Sequence, residues 1–560
     1  MTRTRVTADV FAAVLDARAV DALDLATRTA EATGETWFLV LASFAAFVRT
    51  DFRRSAELAD DALVAQARGV GDDAATRVAA LGMRGFAAAG WWPGAGATWT
   101  DVAPTTTTTG DPLTEAAALL ATLDGSPESD VARYLVAEGA LACGRLDLAA
   151  RVVDVSGPLP GWRRADGSPH PFGTLVRIMR VRLLAFRGLI DDADALLRAE
   201  PAGAHGTLLD LVLASTATLV SGNAADRGET RALADRVESS GLPPADYLSG
   251  GCRLLVAFGL AAIGDVARSA RFVLVAGRDA DLSAASILDR ALGLELLVAL
   301  AAGGDDLDAV EAWAERAVPW RHTPMAAATV ARLDSRVALL AGRVRDAVEL
   351  ADVAVALARS EGRAVEAAEG EIVGSRARVA ASESGVAVAR LEAAVTEADR
   401  AGYRAVRAAA ARTLRSSGRR LRPIAGAGWN GLSARECEVA LLIARGASNA
   451  GIAQTLHLSD HTVRAHVSRV LAAFGAASRL AVAQELADRV PGESTDVALT
   501  PRQRAVADAL ARGLGNAAIA DELRITVKTV EKHLTDIRAR WRVSTRGEVA
   551  RLARGADRAE

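Results

Sequence analysis

Residues 432–479 lie over residues 499–546 at a constant offset of 67, with no gap in either copy. Leu432 falls on Leu499, Arg435 on Arg502, Val439 on Val506, Gly446 on Gly513 and Asn449 on Asn516. Ile452-Ala453 falls on Ile519-Ala520, Leu456 on Leu523, Thr462-Val463 on Thr529-Val530, His466 on His533 and Arg479 on Arg546. An ungapped duplication constrains every helix and turn length twice. Whatever one copy folds into, the other must fold into as well.

Each copy carries the punctuation of four short helices. Ser433 with Glu436, and Thr500 with Gln503, are spaced as capping boxes, and Pro501 suits a first helical position. Gly446 and Gly513 stop the first helix, Ser448 caps the second in copy one, and Ser459 and Thr526 cap a third after a short turn. Ile452, Leu456, Leu458, Val463, Val467 and Leu471 recur at helical spacing and predict the core of copy one, with Phe474 and Trp541 as core aromatics. Two helices joined by a short turn, the second one basic, make a helix-turn-helix whose second helix fits the major groove.

Both copies resemble the LuxR-type helix-turn-helix domain, whose pattern runs LTxREREVxxLxAxGxSNxEIAxxLxISxxTVKxHxxxIxxKLGVxSR. The resemblance implies a four-helix DNA-binding domain acting in transcriptional regulation, with the third helix in the major groove and the fourth often mediating dimerisation. It points to DNA contacts at Ser459, His461, Thr462, Val463, Arg464, His466 and Arg469 in copy one. In copy two it points to Thr526, Lys528, Thr529, Val530, Glu531, Lys532 and His533. Of these, the residues at 528, 530 and 531 would approach base edges, and Thr529, Lys532 and His533 would face phosphate.

Lys528 and Lys532 are the only lysines in the 560 residues; every other basic side chain is arginine. At i and i+4 they share one helix face. A solubilising surface helix would explain them less well than a polyanion would, given where they sit. The copies differ where reading would occur. Arg464 can pair with guanine, whereas its counterpart Glu531 can accept from cytosine but repels phosphate. His461 stands opposite Lys528, and Arg469 opposite Asp536. Each copy is therefore expected to prefer its own half-site, or one copy is weakened for DNA.

Charge divides the same way. Residues 401–560 hold 26 Lys+Arg against 15 Asp+Glu, a net of +11, so residues 1–400 hold 40 against 54, a net of −14. An acidic body with a basic tail fits a protein of which only the tail meets a polyanion. The body reads as helix after helix, with turn glycines expected at Gly144, Gly188, Gly222, Gly264, Gly304, Gly342 and Gly385. Spacings of 34 to 44 residues suggest stacked helical hairpins that loosely resemble tetratricopeptide repeats. Two loops interrupt them, 90–112 and 156–173. The tryptophans Trp91, Trp92 and Trp99 in the first would either line a pocket or pin the loop to the body. The arginine run 403–423 reads either as a solvated helix face or as an added phosphate contact.

The expected fold is all-α: an N-terminal α-solenoid of hairpins over 1–422, a linker at 423–430, helix-turn-helix domains at 431–490 and 499–555, and a linker at 491–498. With no lysine before Lys528 there is no P-loop, and Schiff-base chemistry is excluded from the body. GxSxG and HExxH are absent, so no enzyme and no cofactor are expected. The histidine spacing suits no metal. Three distant cysteines, no signal-peptide h-region and no long apolar run suggest a cytoplasmic protein without a membrane partner. The expected partner is double-stranded DNA, with RNA polymerase a candidate, an unknown protein or small-molecule effector at the solenoid, and a homodimer left open. The competing reading is a non-catalytic scaffold or antagonist that holds another regulator.

Overall fold

The computed structural model describes residues 2–69, 73–94, 97–102, 110–164, 167–200, 207–304, 306–416, 432, 434–476, 478–486, 499–541, 543 and 546–557. Among them the chain is helical, with no strand and one isolated bridge between Arg163 and Pro169. It divides into two compact units, Met1–Arg420 and Leu421–Glu560. Both expected linkers and the end of the arginine run lie outside the described residues.

The first unit is a solenoid. Helices Pro324–Leu340 and Val344–Ser360 form one hairpin, Ala364–Ala380 and Ser384–Arg400 the next, and Arg404–Ser416 begins another. The first helix of each hairpin packs on its own partner and on the first helix of the following hairpin, which is the packing of a stacked array. A buried serine locks several hairpins to the carbonyl twelve residues on. Ser43 Oγ donates to Ser55 O at 2.7 Å, Ser335 Oγ to Ala347 O at 2.6 Å and Ser375 Oγ to Ala387 O at 3.4 Å.

The turn glycines are only partly where the spacing placed them. Gly144, Gly188, Gly264 and Gly342 take positive φ at helix ends, as expected. Gly222 instead lies within helix Thr207–Asn223, where a Cβ would strike the backbone of Gly259 on the neighbouring helix; the turn residue there is Ala225, at φ 61°. Gly385 lies inside helix Ser384–Arg400, and Ser382 makes its turn at φ 65°. Gly304 keeps a negative φ of −101°. Close helix approach and helix ending both select glycine, and spacing alone does not separate them.

A second set of contacts joins hairpins far apart in sequence. Asp147 N donates to Glu361 O at 3.1 Å, and Ile190 N donates to Ala401 O at 2.8 Å. Arg404 pairs with Asp191 at 2.9 Å beside them. Gly362 and Gly402 sit on this seam at φ 73° and 76°, and a Cβ on either would run into Asp147 or Asp191. The late hairpins thus return onto the turns of the early ones, and a cavity of about 660 Å³ lies among helices drawn from residues 141 to 412.

The tryptophan loop pins rather than opens. Trp92 is buried edge-on to Trp99 at 5.0 Å, Arg145 covers Trp99 at 4.8 Å and Arg84 covers Trp91 at 5.6 Å. In the second loop Trp162 stacks on Phe172 at 4.2 Å and donates from Nε1 to Asp130 at 3.0 Å. Part of the arginine run also belongs to the body, since Arg407 pairs with Asp399 at 2.8 Å.

Replacing Gly402 with alanine forces a side chain into a left-handed turn and against Asp191. The expected loss is about 1–3 kcal/mol of solenoid stability in urea unfolding. A wild-type midpoint for Gly402→Ala would remove the seam from the account of this unit.

Candidate nucleic-acid interface

Each copy in the second unit is a four-helix domain. Copy one comprises Ala434–Ala444, Asn449–Leu456, Asp460–Ala473 and Arg479–Glu485; copy two comprises Pro501–Ala511, Asn516–Glu522, Val527–Trp541 and Arg546–Asp557. The caps fall at the expected residues. Ser448 accepts from Gly451 N, Ser459 from Thr462 N and Thr526 from Thr529 N, and Thr500 with Gln503 forms a complete capping box. Ser433 lies outside the described residues. Gly446 and Gly513 end the first helices at φ 86° and 89°.

The duplicated residues build duplicated clamps. Arg479 donates to Asn449 Oδ1 and to Ala447 O, both at 2.5 Å, and Arg546 donates to Asn516 Oδ1 and, at 2.8 Å, to Leu514 O. Each clamp ties the start of the fourth helix to the turn ahead of the second, and burial lowers the pKa of both guanidiniums. Arg435 and Arg502 donate to Leu456 O and Leu523 O at 2.5 Å, closing the C-termini of the second helices. The next residues, His457 and Arg524, turn the chain into the third helix, both at φ 52°.

The third helices place the expected residues in three groups. Ser459, His461 and Arg464 in copy one, and Thr526, Lys528, Glu531 and Lys532 in copy two, are exposed together at the front of the helix. Thr462, His466, Arg469, Thr529 and His533 are half-buried. The two threonines share hydroxyl contacts with the caps, at 2.7 Å to Ser459 and 2.8 Å to Thr526. Val463 and Val530 are fully buried and belong to the two cores, so they brace the helix instead of facing a groove. They repeat with Val467 and Leu534 along the inner stripe, which is where period 3.6 puts them.

His466 and Arg469 are turned inward as well. Arg469 Nε pairs with Glu436 Oε1 at 2.6 Å, and Arg469 reaches His466 Nδ1 at 2.9 Å. The trio fastens the third helix to the first. Burial, and then the Arg469 cation, push the His466 pKa below the usual imidazole value, so the ring is neutral at pH 7. Copy two has Gln503 and Asp536 at the matching positions and no such trio. Arg464 is paired along its own helix with Asp460 at 2.5 Å, and both stay exposed. Val527, in the first turn of the third helix of copy two and outside the motif positions expected at DNA, is 43% exposed where copy one has Asp460. The offset alignment shows that difference directly.

The two copies also touch one another, and reciprocally. Leu480 on the fourth helix of copy one packs on the core of copy two, and Gln484 beside it lies against Gly513. In return Gly547, the counterpart of Leu480, lies against Gly446, the counterpart of Gly513, where a Cβ would stand 2.8 Å from Gly446 Cα. Each fourth helix therefore rests on the end of the other copy's first helix.

Residues 430–486 and 497–553 match the family described as bacterial regulatory proteins, luxR family. The tail is thus a tandem pair of LuxR-type helix-turn-helix domains. Proteins named as HTH-type transcriptional regulators in Mycobacterium bovis and Mycobacterium tuberculosis are each 40% identical over 75 residues, which is 13% of this chain. The chain spans 8% of the length of those relatives. A solved chain of the APC/C hetero-tetramer Cut9-Hcn1 aligns over 74% of this chain and 93% of its own, at 11% identity and a TM-score of 0.24, too low to carry an argument. No helix among the described residues is long and apolar enough to cross a membrane.

Because the folded His466 binds its proton less readily than the unfolded one, copy one is fully stable above the ordinary imidazole pKa of 6.5 and loses stability as pH falls below it. The tail's melting temperature should drop as pH falls below 6.5, and the profile should flatten in His466→Asn. Identical pH profiles for both proteins would exclude His466 as the titrating group.

Proposed function

We propose that this chain is a sequence-specific, double-stranded-DNA-binding transcriptional regulator whose two LuxR-type domains read two unlike half-sites together, under the control of the solenoid. The observation that supports it most directly is the reciprocal packing of the fourth helices combined with unequal exposed faces on the third helices. Paired reading heads bind with the second site already at high local concentration. A face carrying Arg464 and His461 favours guanine, whereas one carrying Glu531 between two lysines accepts from cytosine while Lys528 and Lys532 offset its repulsion from phosphate. Val527 adds an apolar surface suited to a thymine methyl group.

The roles divide by placement. Lys532 acts on the backbone, Arg464 on a base edge after releasing Asp460, and the buried valines and the inward His466 and Arg469 hold the helices in position. The exposed acids Glu531 and Asp536 favour a second reading, in which copy two contacts a protein and the chain is a scaffold or antagonist of another regulator. Selection of a random duplex library by the full chain, at two salt concentrations, separates the two. A two-part motif with fixed spacing supports paired reading, and salt-sensitive retention without enrichment supports the scaffold.

Lys532→Ala should weaken binding to all duplexes and reduce the salt slope by about one unit. Loss of affinity with an unchanged slope would take Lys532 off the phosphates. Arg464→Ala should cost about 1–3 kcal/mol on the selected site and relax base preference within one half-site only. The same consensus from wild type and variant would refute that assignment.

A further inference from the structure

Three helices of the solenoid, Phe172–Phe186, Tyr247–Ala262 and Ile287–Gly303, each present to its cavity one polar side chain and then apolar ones. On the first, Arg182 is followed one turn on by Phe186; on the second, Tyr247 leads to Leu248 and Phe258; on the third, Asp289 leads to Leu292 and Leu296. Steps of three and four residues keep Arg182 with Phe186, and Asp289 with both leucines, on one helix face. Phe186, Phe258, Leu292 and Leu296 are all half-buried, so apolar surface is left uncovered along the cavity wall. The volume of about 660 Å³ falls within the usual range for small-molecule sites.

The polar side chains form one corner, near enough for Asp289 and Arg182 to act electrostatically on the Tyr247 hydroxyl. Each has bonding capacity to spare. Arg182 Nη1 donates to Glu138 at 2.6 Å, while its Nη2 makes no hydrogen bond to a described residue. Asp289 Oδ2 accepts from Ser286 Oγ at 2.7 Å, while Oδ1 accepts from no described residue, and no cation lies within ion-pair distance of this carboxyl among them. The Tyr247 ring packs 4.8 Å from Phe47, but its hydroxyl bonds to no described residue. One acceptor and two donors are therefore open. A hydroxyl group is their complement, with one O–H and two lone pairs. A carboxylate placed there would meet Asp289 and an ammonium would meet Arg182, so the corner suits an uncharged head. Burial raises the pKa of Asp289, and a donor on its open oxygen would offset part of that cost.

We infer that this cavity binds a small uncharged amphipathic alcohol, its hydroxyl donating to Asp289 Oδ1 and accepting from Arg182 Nη2 and the Tyr247 hydroxyl, its apolar body laid along Phe258, Leu292 and Leu296. The ligand class deepens the sensing role proposed for the solenoid and rests on that reading for its regulatory meaning. The binding itself needs no DNA.

Titration calorimetry of the full chain at two temperatures, with 1-octanol, octanoate, octylamine and octyl methyl ether, tests it. Octanol should bind at least about ten-fold more tightly than the carboxylate or the ammonium. It should bind about five-fold more tightly than the ether, which accepts a hydrogen bond but cannot donate one. Tyr247→Phe keeps the ring and should weaken octanol about three-fold. Its ligand-free melting temperature should stay unchanged, because the hydroxyl it removes is unbonded. Asp289→Ala should erase the advantage of octanol over the ether, and Leu296→Gln should weaken both alike. No heat from octanol at either temperature, equal binding of octanoate or octylamine, or wild-type octanol affinity in Tyr247→Phe would overturn the inference. A tail that failed to bind DNA would leave every one of these readings unchanged. A change in duplex affinity on adding octanol is the separate measurement that bears on sensing.

Discussion

The backbone seam between the turns at 147 and 190 and those at 361 and 401 is the constraint on which the solenoid's chemistry depends. A stack of hairpins needs only neighbour contacts and would by itself leave its inner face open. Here Asp147 N and Ile190 N find acceptors some two hundred residues away, and Arg404 adds a charge pair across the same line. Glycine at 362 and 402 is what lets the two sets of turns come so near. Because the late hairpins return onto the turns at 147 and 190, helices from residue 141 to residue 412 share one interior. The arginines of the last hairpins consequently face a wall built by helices before residue 300.

In the tail the same economy appears at smaller scale. The clamps at Arg479 and Arg546, the carbonyl caps at Arg435 and Arg502 and the left-handed turns at His457 and Arg524 are held in common. They fix the angle at which each third helix leaves the body of its domain. The exposed fronts are then free to differ, and they do at 461/528, 464/531 and 460/527. Shared scaffold and divergent front explain how one duplication yields two domains of the same build with unlike exposed faces.

Local features were legible from residues alone. Caps at Ser448, Ser459, Thr500 and Thr526 follow from hydroxyl chemistry at helix starts, and the inner stripe of copy one follows from spacing. Features that depend on partners were not. Val463 and Val530 belong to a family motif, and a motif does not say whether a residue is conserved for reading or for packing. His466 turned inward because Glu436 and Arg469 meet it, a three-way contact with no sequence signature. Gly222 answers to Gly259 and not to a turn. The seam left no mark at all beyond two glycines, since nothing near residue 147 points to residue 361.

If both domains read DNA together as proposed, joining them in one chain has a kinetic and stoichiometric consequence. A regulator that must first find a second copy occupies its site in proportion to roughly the square of its concentration while dimers are scarce. Two heads already packed through Leu480, Gln484 and Gly547 remove that step. On that reading occupancy would follow the first power of protein copy number, so a cell holding a few molecules would still show a graded response without a threshold. Under the proposed reading, switch-like behaviour would enter through an effector at the solenoid.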